Sequence, residues 1–366
     1  MTASSAPLGV ALVGTGFGLK VHLPALRACD RTEVVAVWHR DPVKAAAIAR
    51  EHGIPNAYSD YDALLADGRV AAVAVTTPPF THADLAGRAL AAGKHLLLEK
   101  PTALTDTEAR QLERLAREQG LITALDFEYR FVPVWQQAER LLRQGLVGQP
   151  YLIRLDWLMS SRADATRPWN WYAQQALGGG ALGALGSHSF DYLHWLFGPA
   201  RRLRASLYTA IATRPDPVSG DLKPVDSDDT ALIDLELATG VPCRVSLSSV
   251  CRAGRGHWLE VYGDRGTLVI GSANQQDYVH GHQLWFTPAG EATREIAIDA
   301  DLDFAQTWPD GRIAPVLRVI DDWAERILHG QQKAPGLAEG CYSQLLMELC
   351  QQSHRQGGGW VEVPTA

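Results

Sequence analysis

The sequence predicts an α/β protein: a doubly wound parallel sheet in the first third, then an α+β domain with a large, mainly antiparallel open sheet. Short apolar runs alternate with amphipathic stretches up to about residue 126, and longer alternating strands dominate thereafter. A chain of 366 residues also exceeds the roughly 250–300 at which one hydrophobic core stops growing. Two domains are expected, 1–126 and 127–366.

In the first, LGVALVG, EVVAVW, VAAVAV, HLLLE and LITAL read as strands. The intervening DPVKAAAIAREHG reads as a helix in which Asp41 caps, Pro42 takes the first turn and Gly53 closes the end. Thr105 and Glu108 form a capping box for the helix that follows them. In the second domain VPVWQQAERLLRQG is a helix, and YLIRLDWLM, LRASLYTAI, TALIDLELAT, VPCRVSLSSV, HWLEVYG and GTLVI are strands. GGGALGALGSHSFDYLHWLFG reads as a glycine-led helix and TRPDPVSGDLKP as a surface loop. IAPVLRVIDDWAERIL and LAEGCYSQLLMELCQQ supply two C-terminal helices.

A net charge of −7 offers no basic stripe for phosphates, so a small molecule rather than nucleic acid is the expected partner. Cys29, Cys243, Cys251, Cys341 and Cys350 show no CxxC spacing and read as reduced thiols of a cytoplasmic protein. The opening MTASSAPL lacks the basic and apolar regions of a signal peptide, and no long apolar run follows, so no membrane role is expected. No histidine or carboxylate pair has metal-ligand spacing and there is no nucleophile elbow; no metal is expected.

The first strand runs straight into GTGFG, residues 14–18. Glycines there permit a tight turn and close approach of a pyrophosphate to a helix N-terminus. Gly14 and Gly16 take the first two fingerprint positions, with Thr15 and Phe17 beside them; the third falls on Leu19, with Gly18 one place early. Alone, this is either a dinucleotide site or an ordinary tight βα turn. The second strand ends in Trp38, His39 and Arg40 instead of the acidic residue that accepts from an NAD ribose. Arg40 either pairs with a 2′-phosphate or is solvated; NADP(H) is expected over NAD(H).

The run TTPPFTHADLAGRALAAGKHLLLEKP, residues 76–101, resembles the Gfo/Idh/MocA oxidoreductases, relatives of glucose-fructose oxidoreductase and inositol dehydrogenase. HLPAL after the glycine turn, YRF with its following proline at 129–133, GGGALGALGSHSFD and LEVYGDRGTLVI support the resemblance. It implies an N-terminal Rossmann domain, a C-terminal α/β domain, and homodimers or homotetramers through the exposed sheet face. It also implies hydride transfer between a nicotinamide and a secondary alcohol of a sugar, cyclitol or related polyol. Thr76, Thr77 and Pro78 would then lie next to the cofactor, with His82 holding the following loop. Glu99 would bind the nicotinamide ribose or act as a strand-end ion-pair partner.

Lys100 follows a parallel strand directly and so stands at the carboxyl end of the sheet, where ligands of open α/β folds bind. Pro101 keeps it extended. An alcohol that loses hydride must also lose its proton, and a lysine beside the oxygen can move it, provided burial or a nearby cation tunes the amine. His188 stands on the glycine-led helix with Asp191 on the same face, where a carboxylate can orient the imidazole. The resemblance makes His188 a substrate contact that assists proton transfer, but places an aspartate where this chain has Ala184. Either Lys100 and His188 suffice, assisted by Asp191 or Tyr129, or some chemistry has been lost. Trp169 and Trp171 either stack on a sugar face or pack in the core. Two other readings stay open: a nucleotide-binding sensor without catalysis, and a glycosidase-like enzyme using NAD transiently.

Overall fold

The computed structural model describes residues 6–274 and 281–364. The chain forms two compact units, Met1–Glu128 with Gln306–Cys341, and Tyr129–Ala305 with Tyr342–Ala366.

In the first unit β1 (Leu8–Val13), α1 (Leu23–Ala28), β2 (Thr32–Trp38), α2 (Pro42–Glu51), β3 (Asn56–Tyr58) and α3 (Tyr61–Ala66) are followed by β4 (Ala72–Val75), α4 (His82–Ala91), β5 (His95–Leu98), α5 (Asp106–Glu118) and β6 (Thr123–Leu125). All six strands are parallel, in the order β3-β2-β1-β4-β5-β6. The central strands are buried on both faces, so they read as continuous apolar runs. The order reverses between β1 and β4, and the crevice beyond the carboxyl ends at such a switch point is where ligands bind. Asp41 caps α2 by accepting from the Val43 and Lys44 N–H groups, and the Thr105–Glu108 box caps α5. The three-residue edge strand β3 was not expected, being too short to show an apolar period.

The second unit contains α6 (Pro133–Arg143), β7 (Pro150–Leu158), α7 (Ser187–Phe197), β8 (Ala200–Tyr208), β9 (Thr213–Pro215), β10 (Leu222–Pro224), β11 (Thr230–Leu237), β12 (Pro242–Ser248), β13 (Gly256–Gly263), β14 (Gly266–Ser272), β15 (Gln283–Pro288) and β16 (Arg294–Glu295). After α8 (Ile313–His329) and α9 (Leu337–Arg355), β17 (Val361–Glu362) completes a nine-stranded sheet of order β16-β15-β14-β13-β7-β12-β11-β8-β17. Among the described residues only β7 and β12 run parallel within it. Burial alternates along β11 and β12, as expected of a sheet with one covered face. Across the open face Arg204, Asp234, Arg244, Arg154 and Glu260 stand in register on five neighbouring strands. The stretch expected as a plain loop, TRPDPVSGDLKP, instead pairs β9 with β10 as a short hairpin.

One segment crosses the expected division at 126/127. Residues 306–341 belong to the first unit, where α8 packs on α1, β5 and β6 and buries Val316, Val319, Ile320 and Trp323. Sequence order cannot show this, because the helix meets partners about 200 to 300 residues earlier, such as Cys29 against Asp321. No helix among the described residues is long and apolar enough to cross a membrane.

Candidate active site

The glycine turn fits a dinucleotide. Gly14 has φ +118°, and a Cβ there would collide with Thr76 at the end of β4. Thr76 Oγ1 in turn donates to the Val13 and Gly14 carbonyls, tying the β1 and β4 ends together. A Cβ on Gly16 would meet open space, so a phosphate has room to approach the backbone. Gly18 opens a π-helical turn, Gly18–His22, that leads into α1, and it packs against Thr76 and Leu12 with no room for a side chain. It therefore performs the close helix–strand packing expected one residue later. Phe17 lies edge-on to His22.

His39 shapes the end of β2: its N–H donates to the Tyr58 carbonyl, and its Nδ1 accepts from the Asp41 N–H. Arg40 is exposed. Thr77 accepts from Thr81 Oγ1 and follows Thr76 into the loop with Pro78. His82 is fully buried, with ring nitrogens 2.7 Å from the Thr77 carbonyl and 2.8 Å from the Pro101 carbonyl. It thus spans the loops after β4 and β5, and burial lowers its pKa.

Lys100 leaves β5 beside a buried ionic cluster that sequence spacing hid. Its peptide to Pro101 is cis. The preceding Glu99 accepts from His22 Nε2 at 2.7 Å and from the Lys100 N–H at 3.2 Å. His22 Nε2 is also 3.2 Å from Asp126 Oδ2, just past β6. Burial alone would lower the His22 pKa, but hydrogen bonds to Asp126 and Glu99 and their charges raise it to about 10. Burial would raise that of Glu99, yet the His22 contact draws it down to about 2. Asp126 is pushed up to about 7 by burial and the Glu99 charge. Glu128 follows in the same unit, buried and raised well above the usual carboxyl range by burial and Asp126, while the Lys100 charge acts against that rise.

Glu99 is thus the carboxylate that pairs with His22, while burial favours the protonated forms of Asp126 and Glu128. The donor set of His22, Glu99 and Asp126 is one a metal could use. However, 2.7 Å is a hydrogen-bond separation, shorter than the roughly 3.3 Å between ligands about 2.0 Å from a tetrahedral ion. The cluster is held by protons. His22 Nδ1 finds no acceptor among the described residues.

In the second unit His188, 4 % exposed, lies edge-on to Tyr129 with ring centroids 5.1 Å apart. Tyr129, expected as a substrate contact, is 1 % exposed and ringed by Trp135, Trp157, Tyr192, His257 and His282. Its place is to wall in His188. His257 stacks on Trp157 at 4.1 Å, meets the Tyr192 hydroxyl at 2.9 Å, and is driven well below the usual histidine pKa by burial. Asp191 takes two guanidinium N–H bonds from Arg130, at 2.6 and 2.8 Å, which compensates its charge. Trp169 donates to the Pro224 carbonyl and lies under Lys223, fixing it to the β9–β10 hairpin; Trp171 packs against Tyr172.

The triple glycine is steric: Gly180, at φ +109°, abuts Asp228, whose carboxylate accepts from the Leu182 N–H at the start of the π-helical turn Leu182–Gly186. Sequence reasoning missed His22, Asp126, Glu128, His257 and Asp228. The one available signal was an ionisable residue inside an otherwise apolar segment.

Residues 8–127 match the family model described as "Oxidoreductase family, NAD-binding Rossmann fold", and residues 139–363 match its C-terminal alpha/beta domain. The chain is 50% identical over 358 residues to an uncharacterized oxidoreductase of Synechocystis, covering 98% of this chain and 96% of the relative. It is 27% identical over 398 residues to levoglucosan dehydrogenase of Pseudarthrobacter phenanthrenivorans, covering 98% of each. Among solved structures, levoglucosan dehydrogenase in complex with NADH and L-sorbose superposes with a TM-score of 0.87 at 25% identity, covering 99% of this chain and all of that one. The chain belongs to the Gfo/Idh/MocA oxidoreductase family, with an NAD-binding Rossmann domain followed by the family's C-terminal α/β domain.

Proposed function

We propose that this oxidoreductase moves hydride between NADP(H) and a secondary alcohol or ketone of a sugar, cyclitol or related polyol. Lys100 is the proton-transfer residue and His188 its assistant. The observation that carries this reading is the placement of Lys100. Its strand, β5, follows β1 and β4 in the sheet, so the glycine turn, Thr76 and Lys100 leave the carboxyl edge on three consecutive strands. The bound nicotinamide supplies a hydride acceptor. The chain's own part is to hold an amine among Glu99, Asp126 and Glu128, where protons are already shared.

NADP(H) is the preferred cofactor on this reading, because Arg40 stands exposed after β2 while the Asp41 carboxylate is committed to capping α2. Arg40→Asp is expected to shift preference toward NAD(H) by tenfold or more in kcat/KM. An unchanged ratio would remove Arg40 from the cofactor site. The relatives' names, which include levoglucosan, D-apiose and D-glucoside dehydrogenases, support a sugar substrate. Five free thiols fit a reducing cytoplasm, and the exposed Leu152, Leu232 and Tyr262 on the nine-stranded sheet fit self-association as a dimer or tetramer. Sedimentation as a monomer at micromolar concentration would refute the latter.

The decisive experiment follows nicotinamide absorbance with both cofactors across a panel of levoglucosan, D-glucosides, pentoses and inositols. Reduction of the cofactor is expected. Nucleotide binding without any redox change would favour the sensor reading that Ala184 motivates.

A further inference from the structure

The second unit contains a cleft of about 560 Å³ whose walls include Arg162, Arg167, Tyr172, Ala184, Leu185 and Ser249. It opens where β7 and β12 end and at the turn Leu182–Gly186, which leads into α7 and whose Ala184 stands four residues before His188. Two guanidiniums line it, and among the described residues neither Arg162 nor Arg167 makes an ion pair. Arg162 is half-buried and lies 4.0 Å over the Tyr172 ring. Its charged neighbours, Arg167 and Arg214, repel it.

The nearby carboxylates are committed elsewhere. Asp164 accepts from the Thr166 N–H and hydroxyl, Asp229 from the Ala210 and Ile211 N–H groups, and Asp228 from the Leu182 N–H. Arg214 and Arg252 donate to backbone carbonyls, while the Asp164 carboxylate lies in the field of Arg252 and Arg167. A half-buried guanidinium that packs on a ring and is repelled by two neighbouring guanidiniums is stabilised when an anion arrives, and its planar fork suits carboxylate or phosphate oxygens. The position at which the family resemblance places an aspartate is Ala184, so the cleft wall carries a methyl group where a negative charge would repel that anion.

We propose that this cleft binds an anionic group of the substrate through Arg162 and Arg167, making the oxidised polyol an acidic sugar that carries a carboxylate or a phosphate. The inference rests on the dehydrogenase reading for its chemistry but not for its test.

The test is calorimetric titration of the nucleotide-loaded protein with D-glucuronate, D-glucose 6-phosphate and D-glucose, in wild type, Arg162→Met and Arg167→Met. At least one of the two anions is expected to bind tenfold or more tightly than glucose, to weaken as salt rises, and to lose tenfold in Arg162→Met. The preferred anion distinguishes carboxylate from phosphate. Arg167 is exposed, so its variant provides the reading if Arg162→Met fails to fold. Glucose binding as tightly as both anions, or anion affinity within twofold in both variants, would overturn the proposal. Anion binding with no change in nicotinamide absorbance for any acidic sugar would keep the subsite and sink the dehydrogenase reading. Oxidation of neutral sugars with no anion binding would do the reverse.

Discussion

Two buried clusters, one beside Lys100 and one beside His188, stabilise their ionisable groups by opposite means. Around Lys100, His22, Glu99, Asp126 and Glu128 share charges and a proton; around His188, the imidazole of His257 is surrounded by Trp135, Trp157, Tyr129 and Tyr192 and kept neutral. The first arrangement suits proton movement, since several states lie close in energy. The second suits a fixed imidazole. Low dielectric has opposite consequences in the two places: it strengthens attraction where partners are present and suppresses charge where they are not.

The largest way to break this comparison is Lys100→Ala. Turnover is expected to fall by roughly 10²–10⁴-fold or more, the usual worth of a positioned acid–base group, with nucleotide affinity within a few-fold of wild type. Retained kcat would move the chemistry elsewhere.

Next in size is His22→Ala, which leaves Glu99 and Asp126 buried without their cation. It should destabilise by about 3–5 kcal/mol in denaturant titration. A loss under about 1 kcal/mol would mean that the carboxyls carry their own protons without it. His257→Phe removes a neutral group and should cost less, about 1 kcal/mol, because the Tyr192 hydroxyl loses the imidazole but keeps Ser189 as a partner.

The two regions should also fail at opposite ends of the pH scale. His22 has a folded pKa raised to about 10, so its contribution is complete below pH 6.5 and is lost as pH rises through 10. Asp126, raised to about 7, loses its contribution earlier on the same side. His257 is lowered, so its contribution is present above 6.5 and is lost as pH falls below it. Melting temperatures measured from pH 5 to 10.5 should show His22→Gln flattening the alkaline limb and His257→Gln the acid limb. Exchanged assignments would refute the contrast. Equally small, Tyr192→Phe should cost about 1 kcal/mol and leave the alkaline limb untouched.

Much of the first unit was legible in sequence because its signals are local. The Asp41 cap, the Thr105–Glu108 box and the apolar strands each depend on neighbours within a few residues. The GTGFG turn was legible too, although Gly18 does by close packing against Thr76 what the fingerprint assigns to a later residue. The cluster beneath Lys100 was not, because His22, Glu99 and Asp126 are separated by 77 and 27 positions and meet only when β5 and β6 lie side by side. Tyr129 stood out in the sequence by its motif, and its packing against His188 is visible only in the structure. Nothing local announced that α8 returns to the first unit, or that Arg162 and Arg167 meet Ala184 in one cleft.

By itself the sequence determined the family, the two kinds of sheet, the glycine turn and the lysine that follows β5. The family rests on the resemblance of its motifs; the sheets and the turn follow from short-range periodicity, backbone sterics and capping, which act before the chain has folded. The tertiary structure decided which charges face one another, which imidazole stays neutral, and where a cation is left without a carboxylate. Those outcomes depend on desolvation and on Coulomb interactions over a few ångströms, and such distances exist only once the sheets have formed.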